Sequence, residues 1–151
     1  MDPMREILFH GKRLDNGEWV EGAYFPKSDP YPATIFHGKH NSLGDYVDPA
    51  TVGQYIGRQD KNGKKIFEGH VVEHAGKLYV IEYIEKYSRF AATNPEIVFA
   101  GFDFGACEIV GNIHDNPDLL QKTDYLKNLQ ALSVQERQRI LYGEWGKGGS
   151  P

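Results

Sequence analysis

The sequence holds a single cysteine, Cys107. One thiol cannot close an intramolecular disulfide, so the chain is no disulfide-stapled secreted scaffold and has to be held by an ordinary core. No apolar run approaches the roughly 18 residues that a membrane helix needs. The opening residues Met1-Asp2-Pro3-Met4-Arg5 lack the apolar core of a secretory signal, which makes the cytoplasm the expected compartment. A basic excess is absent too: 17 Lys and Arg stand against 21 Asp and Glu, for a net charge of −4. Such a chain repels phosphate on average, so only a local basic patch would favour nucleic acid. There is no G-x-x-x-x-G-K-[ST] phosphate loop, which excludes a packaging-type ATPase. No solenoid period is visible either.

Aromatics and turn residues are plentiful, with nine Tyr, eight Phe, two Trp and 17 Gly in 151 residues. That combination suits many short strands joined by tight turns. Residues 5–25 read as a hairpin, with Ile7-Leu8-Phe9 and Trp19-Val20-Glu21-Gly22-Ala23-Tyr24-Phe25 flanking Asn16-Gly17. Asn-Gly is the signature of a type I′ turn, in which both central residues take positive φ. A second Asn-Gly, at Asn62-Gly63, repeats the pattern. Residues 26–45 carry Pro26, Pro30 and Pro32 and read as a loop with one short strand near Thr34-Ile35-Phe36. Asp48-Pro49 suits the start of a helical turn, since Asp caps and Pro fits the first helical position. Val71-Val72, the Ala75-Gly76 turn, Leu78–Ile84, Arg89–Ala92, Ile97–Phe99 and Cys107–Ile113 read as a meander. Strands this short and close predict a small barrel or sandwich.

After His114-Asp115-Asn116-Pro117 the strand pattern stops. Leu126, Leu129 and Leu132 recur at helical spacing, and Ser133-Val134-Gln135-Glu136 has the capping-box form of a second helix ending at Gly143.

Four constellations invite chemistry. Six histidines raise a metal reading, but His70 and His74 fall in an expected strand, where four residues span about 13 Å, too far to share one ion. His37 and His40 lie in a Gly-rich loop without a Cys or carboxylate cluster. Surface histidines are the preferred reading and no metal ligand is nominated. Carboxylate pairs such as Glu82 and Glu85, or Asp45 and Asp48, carry no acid–base signature, and a solvated face is expected for them. Cys107 has no assignable His partner and reads as a buried structural thiol. Lastly, Arg58, Lys61, Lys64 and Lys65 crowd one hairpin near Tyr55, and cations beside an aromatic can hold a partner or a single strand of nucleic acid. A soluble hairpin tip is preferred, because lysines at turns and edges also resist aggregation. On β alternation Trp19, Glu21, Ala23 and Phe25 share one face, with Val20, Gly22 and Tyr24 on the other. Aromatics on both faces mean either burial on both sides or contact with a partner subunit.

Several blocks carry a resemblance. Met4–Lys12 with Gly17–Gly22, Val47–Gly57, Asp60–Val72 and Glu108–Leu119, in that order, resemble the YopX family of phage and prophage proteins over residues 4–120. The resemblance implies a β-rich phage-type protein with an SH3-like small barrel in its second half. It implies no catalytic activity and supplies no site residues. His70 stands where the family usually has Asp after Glu-Gly, so the Glu68-Gly69 turn must be braced in another way. Separately, Asp124–Leu132 with Glu136–Trp145 is similar to a helical segment of phage terminase large subunits. Two amphipathic helices packed on the barrel, or a fused or mimicked terminase element, would each account for it.

The expectation is therefore a mainly β protein with a hairpin region at 4–45, an SH3-like barrel at about 46–120, a pair of short α-helices within 121–146, and a flexible tail at 147–151. Its expected role is a non-enzymatic phage accessory module without a cofactor, binding a host or phage protein or a copy of itself. Alternatives are a nucleic-acid-binding barrel using residues 58–65 and a small-nucleotide-binding counter-defence protein.

Overall fold

A computed structural model describes residues 5–38, 44–99 and 101–122. The chain divides into two compact units, with the boundary between Glu68 and Gly69.

The first unit carries six strands: β1 (Phe9–Lys12), β2 (Trp19–Phe25), β3 (Thr34–Phe36), β4 (Asp45–Tyr46), β5 (Gly53–Gln59) and β6 (Lys65–Phe67). They form one antiparallel sheet in the order β4-β3-β2-β1-β5-β6. The period-two alternation of β2 sorts its side chains. Val20 and Tyr24 pack with Val52 against a buried cluster of Ala33, Ile35 and Val47. Trp19, Glu21, Ala23 and Phe25 take the opposite face. Burying a side chain such as Ile35 contributes about 2–3 kcal/mol. Strand β3 approaches β2 so closely that a Cβ on Gly22 would lie 2.0 Å from the Phe36 carbonyl oxygen. Only glycine fits there. Between β4 and β5, Asp48 caps a 3-10 turn at Pro49–Thr51, its side chain accepting from the Ala50 N–H, as the Asp-Pro pair predicts.

The second unit carries β7 (His70–His74), β8 (Lys77–Ile84), β9 (Arg89–Asn94), β10 (Ile97–Phe99) and β11 (Glu108–Asn112). Their order is β10-β9-β8-β7-β11, again antiparallel throughout. Strand β8 is buried along most of its length, which its unbroken β-branched and aromatic run anticipates. Tyr79, Phe99 and Phe104 gather around Phe102 at ring separations of 5.2, 5.5 and 5.2 Å. On the sheet's other face Val71 and Val80 pack with Leu78, Ile113 and Leu119. Cys107 is fully buried and its thiol donates to the Phe104 carbonyl at 3.1 Å.

Three expectations need correction. The first concerns the fold class. Both sheets are open in strand order, and among the described residues the only helical elements are short 3-10 turns. The described fold is thus two antiparallel sheets, not an SH3-like barrel followed by paired α-helices. The segment to which those helices were assigned, from residue 123 onward, lies outside the described residues. The second concerns the Asn-Gly turns. Gly17 and Gly63 take positive φ, at 72° and 79°, while Asn16 and Asn62 do not. In both hairpins the loop closes through longer hydrogen-bonded turns, Arg13 N–H to Glu18 O at 2.9 Å and Asp60 N–H to Lys64 O at 2.8 Å. The asparagine is used as a right-handed turn residue, and glycine alone absorbs the left-handed position. Third, Glu82 is buried rather than solvated, and the Thr93 hydroxyl donates to its carboxylate.

The turn that does place both residues at positive φ is Ala75-Gly76, with φ of 52° and 79° between the paired His74 and Lys77. An alanine there is strained, because its Cβ crowds the backbone. Replacing Ala75 with Asn, which tolerates this region, is expected to raise stability by about 1 kcal/mol, whereas Ala75→Val should lower it. Urea denaturation of the two variants measures both.

Candidate functional site

The hairpin that joins β5 to β6 carries the cations singled out from the sequence. Its tip is braced from within. Asp60 is buried, and its Oδ1 accepts from the N–H groups of Asn62 and Lys64 at 2.9 and 3.0 Å. Arg58, Lys61 and Lys64 are exposed around this brace. Lys65 is half-buried, with Nζ 5.8 Å from the centre of the Tyr55 ring and 3.5 Å from Glu6 Oε1. The structure therefore brings Tyr55 and Lys65 together and leaves the other three cations at the tip. Tyr55 itself is only 8% exposed and packs on Phe67 at 5.6 Å. A base needs an open ring face to stack on, and this ring presents none.

Tyr55 and Phe67 belong to a longer column. His10 is buried, stacked at 4.1 Å on Phe67 and tilted at 4.3 Å against Trp19, and Lys12 Nζ lies 5.8 Å from the Trp19 ring. Register explains the column. Lys12 pairs with Trp19, His10 with Gly53, and Tyr55 with Phe67, so all point to one side of the sheet.

The same side continues across β2, β3 and β4 and there becomes exposed. Phe25 pairs with Thr34 and Thr34 with Tyr46, while Ala23 pairs with Phe36. Phe25 and Phe36 meet edge to face at 5.2 Å. They are 54% and 37% exposed, and Tyr46 is 52% exposed. Glu21 continues this face at one end of β2, and Lys27 stands two residues beyond Phe25 at the other, both exposed. On the core side, Asp45 holds His37 Nε2 at 3.4 Å and Arg13 Nε at 3.7 Å, anchoring the edge strand β4. The hydrogen bond to Asp15 raises the Arg13 pKa further, so its guanidinium stays charged.

Phe36 and Tyr46 were not nominated from sequence. A three-residue strand and a two-residue strand are too short to show which side is covered; the usable signal was Phe25, which alternation had already placed opposite Tyr24. The histidines are distributed as follows. His70 and His74 sit at the two ends of β7, His74 against Phe102 at 5.2 Å, and His40 lies outside the described residues. Among the described residues no group of three or more His, Cys, Asp and Glu side chains is placed to hold a metal ion. No described helix is long and apolar enough to cross a membrane. The Glu68-Gly69 turn, which lacks the usual Asp, is held by backbone and by Glu68. The Glu68 Oε1 accepts from Gln54 N–H at 2.9 Å, and the Gly69 carbonyl accepts from Ile113 N–H at 2.9 Å.

An all-β protein with a braced cationic hairpin and an exposed aromatic sheet face has the form of a recognition module. A family model described as YopX protein matches residues 9–121, and the chain belongs to that family. This agrees with the resemblance seen over residues 4–120. The terminase-like stretch lies outside both the match and the described residues. The chain is also similar to the crystal structure of protein EF1440 from Enterococcus faecalis, at 23% identity and a TM-score of 0.45, with 76% of this chain and 98% of that chain covered. No curated protein matches.

Removing the Asp60 brace should loosen the tip. Asp60→Ala leaves two N–H groups without their acceptor and is expected to cost about 1–3 kcal/mol. Thermal unfolding measures the loss, and Asp60→Asn, which keeps one acceptor oxygen, should recover part of it.

Proposed function

We propose that this YopX-family chain is a phage or prophage accessory protein that acts as a non-enzymatic interaction module in the host cytoplasm, and that it engages its partner through the face formed by Ala23, Phe25, Phe36 and Tyr46. The observation that carries the reading is the Phe25–Phe36 pair, edge to face and substantially exposed on one side of a regular sheet. Exposed aromatics clustered on one face mark an interaction site far more often than scattered ones do. Covering either ring fully would contribute about 2–3 kcal/mol, enough for a few such side chains to dominate an interface. No catalytic residue is assigned.

The test is retention of phage or host proteins by the full-length chain from lysate of infected cells, with prey identified by mass spectrometry. Phe25→Ser and Phe36→Ser, both at exposed positions, should leave the melting temperature within a few degrees and abolish retention of the specific prey. Unchanged retention by both variants would refute the assignment of this face.

The nucleic-acid alternative has weaker support, because Tyr55 is covered and Lys65 is engaged with Tyr55 and Glu6. The expected result is no salt-dependent gel shift of single- or double-stranded DNA at about 50 mM salt, where phosphate contacts are strong. A shift that disappears when Lys61, Lys64 and Lys65 are changed to Glu would establish the alternative instead. No feature of the described residues favours the small-nucleotide reading.

A further inference from the structure

The exposed face has a pattern along β2 that fits itself. Read outward from the middle of the strand, one direction gives Ala23 and then Glu21, and the other gives Phe25 and then Lys27. From Glu21 to Lys27 the order on this side is acid, small, large, base. A two-fold axis through the position of Tyr24, perpendicular to the sheet, reverses that order. It sets Glu21 of one copy opposite Lys27 of the other and Ala23 of one copy opposite Phe25 of the other. Among the described residues neither Glu21 nor Lys27 takes part in an ion pair.

From this we infer that the occupant of the aromatic face is a second copy of the same chain, packed sheet on sheet about a two-fold axis. The inference rests on the reading of this face as the interaction surface and adds the partner. Face-to-face sheets interdigitate large side chains of one layer with small ones of the other. The exposed Phe25 ring stands over nothing in its own copy that would fill the space above Ala23. Phe36, beside Ala23, and Tyr46, in the Phe25 row, extend the apolar centre, while Glu21 and Lys27 form a charged rim that is complementary only in the antiparallel arrangement. An interface of this kind is isologous, each contact occurring twice, and it closes after two copies.

Rim charges select the arrangement. Aligning the two β2 strands in the same direction would put Glu21 against Glu21 and Phe25 against Phe25, with like charges and no gap for the ring. The symmetry also doubles the effect of any substitution in the rim.

Light scattering on the full-length wild-type protein tests the inference, together with three charge variants. The wild type should elute at twice the 17.1 kDa of one chain. Glu21→Lys alone and Lys27→Glu alone should each weaken dimerisation by about tenfold, since each replaces two attractive contacts with two repulsive ones. The double variant, Glu21→Lys with Lys27→Glu, should recover the dimer. Ala23→Arg, which fills the gap, should give a monomer of unchanged melting temperature. A wild type that is monomeric at about 100 μM, well above ordinary interface dissociation constants, overturns the second copy as occupant. So does a dimer indifferent to Ala23→Arg, or one that the double reversal fails to restore. The two readings fail separately. A monomer that still retains a specific prey, lost with Phe25→Ser, overturns only the self-association; a monomer that retains none overturns the face as well.

Discussion

The close approach of β3 to β2 at Gly22 is the constraint on which the first unit depends. With a Cβ excluded by the Phe36 carbonyl oxygen, the two backbones lock in the register that pairs Ala23 with Phe36 and Tyr24 with Ile35. In a strand a slip of one residue exchanges the faces completely. The slipped strand would carry Ile35 out to solvent and take Phe36 into the core beside Val47. The single glycine therefore fixes the buried cluster and, by the same pairing, the two rings that stand exposed. Core and surface are two sides of one register.

The same sheet treats its aromatics in two ways. Toward β1, β5 and β6 they are enclosed: His10 lies between Trp19 and Phe67, and Tyr55 packs against Phe67 with Lys65 above it. Toward β2, β3 and β4 they are left open. This division bears on function because the cationic hairpin belongs to the enclosed half. Its charges surround an aspartate used wholly for bracing the turn, and its aromatic ring is spent on packing. The open half has rings to offer and only a thin charged rim, which suits a protein surface better than a phosphate backbone.

Much of this arrangement was legible in the residues. The strands flanking Asn16-Gly17, the capped turn at Asp48-Pro49, the long buried β8 and the two faces of β2 all follow from local pattern, because each is decided within a few residues. The turn geometry at Asn16-Gly17 and Asn62-Gly63 was not, since loop length is set by where the flanking strands pair, and pairing at Arg13–Glu18 and Asp60–Lys64 leaves only the glycine left-handed. Ala75, which does take the left-handed form, has no propensity for it; the pairing of His74 with Lys77 forces it there. Burial of Glu82 was hidden for a similar reason, as its partner Thr93 is supplied by the neighbouring strand. Exposure of Phe36 and Tyr46 depends on which side of a six-stranded sheet the core occupies, and strands of two or three residues hold no phase from which to read it. Family membership rests on ordered blocks that span most of the chain, and it carries no site with it.

The central claim is that the face of β2, β3 and β4, and not the cationic hairpin, is where this protein meets its partner. Backbone amide chemical shifts of the full-length protein, compared between dilute and concentrated samples, test it most directly. The account predicts concentration-dependent changes centred on residues 21–25, 34–36 and 45–46, with residues 58–65 unmoved. Changes centred on 58–65, or none anywhere across a hundredfold range of about 5–500 μM, which brackets ordinary interface affinities, would contradict it.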